Sequence, residues 1–67
     1  MEPMMLIVKW ADEAHENHVD SIPIYPMGGY DAVPSALYVA HTYLSVRQKD
    51  YEVLEVQWCL HVSLLLH

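Results

Sequence analysis

Residues 51–66 read YEVLEVQWCLHVSLLL, and apolar side chains recur there at every second position. The even-numbered side is wholly apolar from Leu54 onward, whereas the odd-numbered side turns polar from Glu55 onward. Successive side chains of a β-strand point to opposite sides, so this alternation predicts a half-buried strand over 51–66. Such a strand would reach about 50 Å, whereas a compact chain of this size has a radius of gyration of about 11 Å. We therefore expect the strand to bend or break, or its end to leave the domain.

Two further strands are predicted upstream. Residues 4–11 alternate in the same way and indicate a first strand, followed by a polar, acidic hairpin loop over 12–17. Residues 18–25 indicate a second strand. Pro23 places this strand at a sheet edge, because proline cannot donate a hydrogen bond to a neighbouring strand. Proline and glycine at 26–29 predict the turn that ends it.

One helix is predicted after this turn. Asp31 is the expected N-terminal capping residue, and Pro34 falls early enough in the helix to be tolerated. At 100° per residue one side of the helix collects apolar side chains. They are Val33, Ala36, Leu37, Ala40, Tyr43 and Leu44.

The order β-β-α-β predicts an α+β fold with a three-stranded antiparallel sheet in the order 2-1-3. The helix is expected to pack on one face of the sheet, and the other face to stay open. The predicted contacts of the helix on the sheet are Leu6, Val8, Leu54, Val56, Trp58 and Leu60.

Length and charge limit the classes of function. A chain of 67 residues predicts a single domain over 1–67, and its one cysteine cannot form an internal disulfide. The net charge of −6 argues against direct binding to nucleic acid or an anionic membrane, because both need Lys and Arg. An acidic protein suits a basic protein surface instead. We expect no secretion signal and no membrane span, and hence a soluble, cytoplasmic protein.

The predicted topology brings most carboxylates to one end of the sheet. The end of the first strand and the starts of the second and third strands lie together there. The carboxylates at or near that end are Asp12, Glu13, Glu16, Asp20, Asp50, Glu52 and Glu55. Tyr51 and Val53 are expected on the open face beside them, where they would add apolar contact. These nine residues are the predicted partner-binding surface, unless the carboxylates serve only solubility.

The sequence favours neither a metal centre nor catalysis. His15 and His18 fall in or beside the acidic loop, where their spacing fixes no geometry, and Cys59 and His61 offer only two ligands. Phosphate-binding and nucleophile motifs are also lacking in the sequence. We therefore expect no catalytic residue, no metal and no cofactor.

Three short motifs resemble a known family. They are Ile22-Pro23-Ile24-Tyr25, the helical segment from Asp31-Ala32 with Ala36 and Ala40, and the segment from Tyr51-Glu52-Val53 to Cys59. Together they are similar to the small phage-encoded inhibitor of bacterial RNA polymerase, over about two thirds of the chain. The resemblance implies a ββαβ fold and an inhibitor that binds a host protein. Glu55 and Gln57 stand where that family's inhibitory strand carries arginines. The resemblance therefore supports the class of compact phage inhibitors, which includes some anti-CRISPR proteins, more than it supports RNA polymerase as the target.

The predicted function is therefore that of a non-enzymatic, acidic phage or mobile-element inhibitor. Its partner would be a basic surface on a host protein, such as RNA polymerase or a CRISPR-Cas defence complex. The alternative is a structural module that assembles with copies of itself through strand 51–66. A small metal-dependent enzyme that uses the histidines is a third, more distant reading.

Overall fold

The computed structural model describes residues 4–25 and 33–59. In chain order, the elements are β1 (Met4–Asp12), β2 (Asn17–Ile24), α1 (Ala36–Arg47) and β3 (Tyr51–Cys59). The sheet is antiparallel with the order β2-β1-β3, and the helix packs on one of its faces. The predicted α+β class, strand order and single helix are confirmed. Among the described residues, no helix has the length and apolar character that a membrane span requires.

The central strand β1 supplies the middle of the core. Its side chains at Leu6 and Val8 are fully buried, and Trp10 is 5% exposed. These residues alternate along β1, so they share the face on which Val39, Ala40 and Leu44 of the helix pack. We call this the covered face. Pro23 of β2 lies opposite Met5 of β1. The strand β2 is at an edge of the sheet, as predicted.

The β1–β2 hairpin closes through Asp12. Its carbonyl oxygen accepts a hydrogen bond from the His15 amide (2.9 Å), and its own amide donates to the carbonyl oxygen of Glu16 (3.0 Å). Its carboxylate Oδ1 accepts from the amides of Ala14 and Glu16. An aspartate side chain that binds the backbone two residues ahead is a common turn device. His15 adopts φ 63°, a left-handed conformation in which histidine is enriched.

The helix begins later than the sequence predicted. Ser35 is the N-cap, with φ −63° and ψ 147°, and its side chain accepts a hydrogen bond from the Tyr38 amide. The prediction that the helix begins at Asp31 is wrong, because residues 33–35 are not helical; Asp31 itself lies outside the described residues. Pro34 explains the later start, since the residue before a proline is disfavoured in helical conformation. Ser35 is then the first residue able to cap the helix.

The buried side of the helix is also rotated relative to the prediction. Leu37 was expected to face the sheet but is 56% exposed, whereas Val39, which was not among the residues of the predicted apolar side, is 8% exposed. The predicted contacts of Ala36, Ala40, Tyr43 and Leu44 with the core are confirmed. Leu37 and Val39 flank this stripe on opposite sides. The sequence offered an apolar residue on each flank, and only docking on the sheet decides between them.

A β-bulge divides β3. Lys9 pairs with Glu55, but the next residue, Trp10, pairs with Val53, so Leu54 is an extra residue. An extra residue reverses the alternation of side chains on its far side. Val53 and Tyr51 therefore lie on the covered face and pack against the core. The predictions that Tyr51 and Val53 are on the open face, and that Leu54 packs under the helix, are both wrong; Leu54 is 47% exposed.

The C-terminal half of β3 follows the prediction. Val56 and Trp58 lie opposite Val8 and Leu6 and pack against the core. The strand is described to Cys59, so the predicted contact of Leu60 and the predicted strand over 60–66 lie outside the described residues. The second face of the sheet, which we call the open face, carries the remaining side chains. They include Met5, Ile7, Lys9, Val19, Ser21, Glu52, Glu55 and Gln57.

Candidate functional site

Five of the predicted carboxylates occupy the hairpin end of the sheet. Asp12 pairs with Tyr51, and Ala11 pairs with both Asn17 and Glu52, so the end of β1 meets the starts of β2 and β3. We call the five carboxylates at this position the acidic end. They are Asp12, Glu13, Glu16, Asp50 and Glu52. Asp12 is half-buried and the other four are exposed.

Asp20 and Glu55 lie further along the sheet and have partners of their own. They stand opposite Val8 and Lys9, about 10–13 Å from the end of β1 at the usual rise per residue. Asp20 accepts a hydrogen bond from the indole Nε1 of Trp10 (3.1 Å). Glu55 forms an ion pair with Lys9 (3.7 Å) on the open face. Asp20 is therefore held by Trp10, and the charge of Glu55 is balanced by Lys9.

The side chains of Tyr51 and Val53 pack against the core and are not part of an exposed binding surface. Val53 packs against the core, and the Tyr51 hydroxyl donates to the carbonyl oxygen of His41 (3.2 Å). The rings of Tyr51 and His41 lie 5.6 Å apart between centroids. Neither residue offers its side chain on the open face. The exposed apolar side chain of β3 near the acidic end is Leu54 instead.

A chain of four polar and aromatic side chains fixes one corner of the acidic end. Trp10, held by Asp20, stacks on the His18 ring with centroids 4.4 Å apart and an interplanar angle of 20°. The Nε2 atom of His18 lies 2.7 Å from Oδ2 of Asp12. Both carboxylate oxygens of Asp12 are thus engaged, one by backbone amides and one by the imidazole.

These contacts favour the charged form of Asp12. The hydrogen bond with His18 lowers the pKa of the Asp12 carboxyl below its ordinary value, and the amide of Glu16 lowers it further. Partial desolvation raises the pKa of Asp12, and the hydrogen bond from the Ala14 amide lowers it. Hydrogen bonds donated to a carboxylate stabilise its ionised form, so the net direction is downward.

Glu16 completes a mixed group of ligand atoms at this corner. One carboxylate oxygen from each of Asp12 and Glu16 and one ring nitrogen of His18 all lie within 4.8 Å of one another. In the part of the chain described, this is the one group of three such side chains. The sequence pointed to the loop histidines without fixing their geometry. Counting the register across a four-residue loop would have placed His18 opposite Trp10 and beside Asp12.

No protein-family model, curated protein or solved structure matches this chain significantly.

Proposed function

We propose that this protein is a non-enzymatic binding protein that occupies a basic surface of a host protein through its acidic end. The observation that carries the proposal is that most carboxylates of the acidic end form no ion pair within the described part of the chain. Four of them make no side-chain hydrogen bond or ion pair with the residues at 4–25 and 33–59. They are Glu13, Glu16, Asp50 and Glu52.

The distribution of cations leaves this charge uncompensated. The chain has three Lys and Arg side chains in total. Lys9 pairs with Glu55, and the Arg47 guanidinium lies 3.8 Å above the Tyr43 ring. Lys49 alone is adjacent in sequence to the acidic end, beside Asp50. A single cation against five carboxylates leaves a negative field that attracts a positively charged surface and speeds association.

The class of partner follows from the chain's resemblance to compact phage inhibitors. That resemblance favours an inhibitor from a phage or mobile element, acting in the host cytoplasm on RNA polymerase or on a defence complex such as CRISPR-Cas. Leu54, beside Glu52 and Glu55, is the exposed apolar side chain that supplies local contact. Val53 does not serve this purpose, because it packs against the core.

Affinity capture from bacterial lysate tests the proposal. The bait is the full chain, and the variant is Glu13→Gln/Glu52→Gln, which removes two negative charges from the acidic end. The control is Thr42→Lys/Ser45→Lys, which gives the same net charge of −4 but changes the outer side of the helix (−6 + 2 in each case). Circular dichroism should first show that both proteins are folded.

We expect the wild type and the control to retain a host protein that the Gln variant loses at low salt. Binding by the wild type should weaken as salt rises, because exposed charges are screened over about 8–10 Å at physiological ionic strength. Equal capture by the Gln variant would mean that the acidic end only keeps the protein in solution.

Self-assembly is the alternative, and the position of β3 favours it. In the described sheet β3 is an edge strand, and its residues include no Lys or Pro that would discourage pairing with another chain. Light scattering after size exclusion at about tens of micromolar would show a dimer or larger species. A monomer over that range contradicts this alternative and leaves the host-protein proposal standing.

A further inference from the structure

We propose that Asp12, Glu16 and His18 form a binding site for a divalent transition-metal ion of the zinc class. The inference does not rest on the proposed function, because it concerns one corner of the acidic end and a ligand of different chemistry.

The donor set selects the class of ion. Two carboxylate oxygens and one imidazole nitrogen are available, and these atoms lie within 4.8 Å of one another. Imidazole suits Zn²⁺ and neighbouring transition metals, whereas Ca²⁺ and Mg²⁺ prefer oxygen ligands alone. Three protein ligands leave at least one position for water or for a group from a partner, as in open zinc sites.

The imidazole is held in place before any ion arrives. His18 stacks on Trp10, which is 5% exposed and is itself fixed by its hydrogen bond to Asp20. The stack directs Nε2 of His18 at Asp12, and the side chain of His18 remains 39% exposed. The ligand nitrogen is therefore oriented by a core residue and still reachable from solvent. A ligand side chain that is already held in one orientation loses less conformational entropy when it binds.

Binding would replace a hydrogen bond by two metal–ligand bonds. Nε2 of His18 and Oδ2 of Asp12 lie 2.7 Å apart, within hydrogen-bond distance. Around a tetrahedral Zn²⁺ with bonds of about 2.0–2.1 Å, two ligand atoms lie about 3.3 Å apart, so the pair must open by about 0.6 Å. Nε2 binds the ion only without its proton, so a neutral imidazole carries its proton on Nδ1 and an imidazolium releases one proton to solvent. The ionised carboxylates of Asp12 and Glu16 supply the other two ligand atoms.

Titration calorimetry with Zn²⁺ on the metal-free full chain tests the site. We expect one ion per chain, and affinity reduced at least about tenfold in Glu16→Gln and in His18→Gln. The matched control is His15→Asn, which removes an imidazole from the same turn. Asparagine tolerates the left-handed conformation of His15, so the turn should persist and Zn²⁺ affinity should stay unchanged.

Glu16→Gln keeps the test decisive if His18→Gln unfolds, because the Glu16 side chain makes no hydrogen bond in the described part of the chain. Nitrogen chemical shifts of His18 on addition of Zn²⁺ give a second readout. No binding at about 100 μM Zn²⁺ would overturn the proposal. So would unchanged affinity in folded Glu16→Gln, or a loss of affinity in His15→Asn.

Discussion

The Tyr51 hydroxyl donates a hydrogen bond to the carbonyl oxygen of His41 over 3.2 Å, and this contact joins the first residue of β3 to the middle of the helix. Nδ1 of His41 also lies 3.1 Å from the same hydroxyl. Helix and strand meet here because the bulge at Leu54 turns Tyr51 toward the covered face. The tyrosine therefore contributes to the fold through its ring and its hydroxyl.

Tyr51→Phe should lower the free energy of unfolding by about 0.5–1.5 kcal/mol, the usual contribution of one hydrogen bond. The ring stays in place, so only the hydroxyl's contacts with His41 are lost. Urea unfolding followed by circular dichroism measures the change. Tyr38→Phe, on the exposed side of the helix, is the control and should leave the stability unchanged. If the two variants are equally stable, the Tyr51 hydroxyl does not hold the helix.

Two neighbouring substitutions test the bulge. Val53→Asp should destabilise by about 2–4 kcal/mol, because it brings a carboxylate against the core. Leu54→Asp should change stability by no more than about 0.5 kcal/mol, because Leu54 is 47% exposed. An uninterrupted strand would reverse this order. Thermal unfolding of both variants at one pH separates the two arrangements.

Residues 4–25 were the most predictable part of the fold. The alternation along Met4–Ala11, the polar loop after it and Pro23 on the next strand gave the hairpin and its edge. In β3 the same reasoning failed at one point, because Leu54 continues the apolar pattern of Val56 and Trp58 in the sequence. Whether the strand keeps its alternation or bulges depends on its pairing with β1 and on space beneath the helix, which period-two patterns do not encode.

Ser35→Ala should cost about 1 kcal/mol, because it removes the side-chain acceptor for the Tyr38 amide at the start of the helix. Ser45→Ala is the matched control. It lies inside the same helix, where alanine has the higher helix propensity, so it should be neutral or slightly stabilising. Chemical denaturation measures both. Equal stability of the two variants would place the helix start elsewhere.

The free energy of unfolding should depend on pH through the ionisation of Asp12. Its folded-state pKa lies below the ordinary value of 3.8, so its contribution is fully present above that pH. The contribution is lost as the pH falls below 3.8 and through the folded-state pKa. In EDTA, the stability difference between wild type and Asp12→Asn should therefore shrink between about pH 6 and pH 2.5.

Glu13→Gln controls for the change in net charge, since it also removes one carboxylate from this loop. The Glu13 carboxylate makes no side-chain hydrogen bond in the described part of the chain. Urea unfolding of all three proteins at each pH gives the comparison. A difference between wild type and Asp12→Asn that is the same at both pH values would show that His18 and the turn amides do not stabilise the charged carboxylate.

The acidic end was predictable in part from topology. Antiparallel neighbours bring Asp12 and Glu52 to one end once the strand order is known. The His18 contacts were not predicted, because they depend on the length of the turn. Only when four residues separate the strands does the imidazole face Trp10 and reach Asp12. Side-chain stacking of this kind leaves no periodic signal in a sequence.

The extra residue at Leu54 also limits how a fourth strand could extend this sheet. A strand added along the edge of β3 needs a regular row of backbone donors and acceptors, and a bulge bends that row and increases its twist. In the described part of β3, regular pairing runs over Glu55–Cys59 on one side of the bulge and over Tyr51–Val53 on the other. An incoming strand, from a second copy or from another protein, would match one of these segments or carry an irregularity of its own.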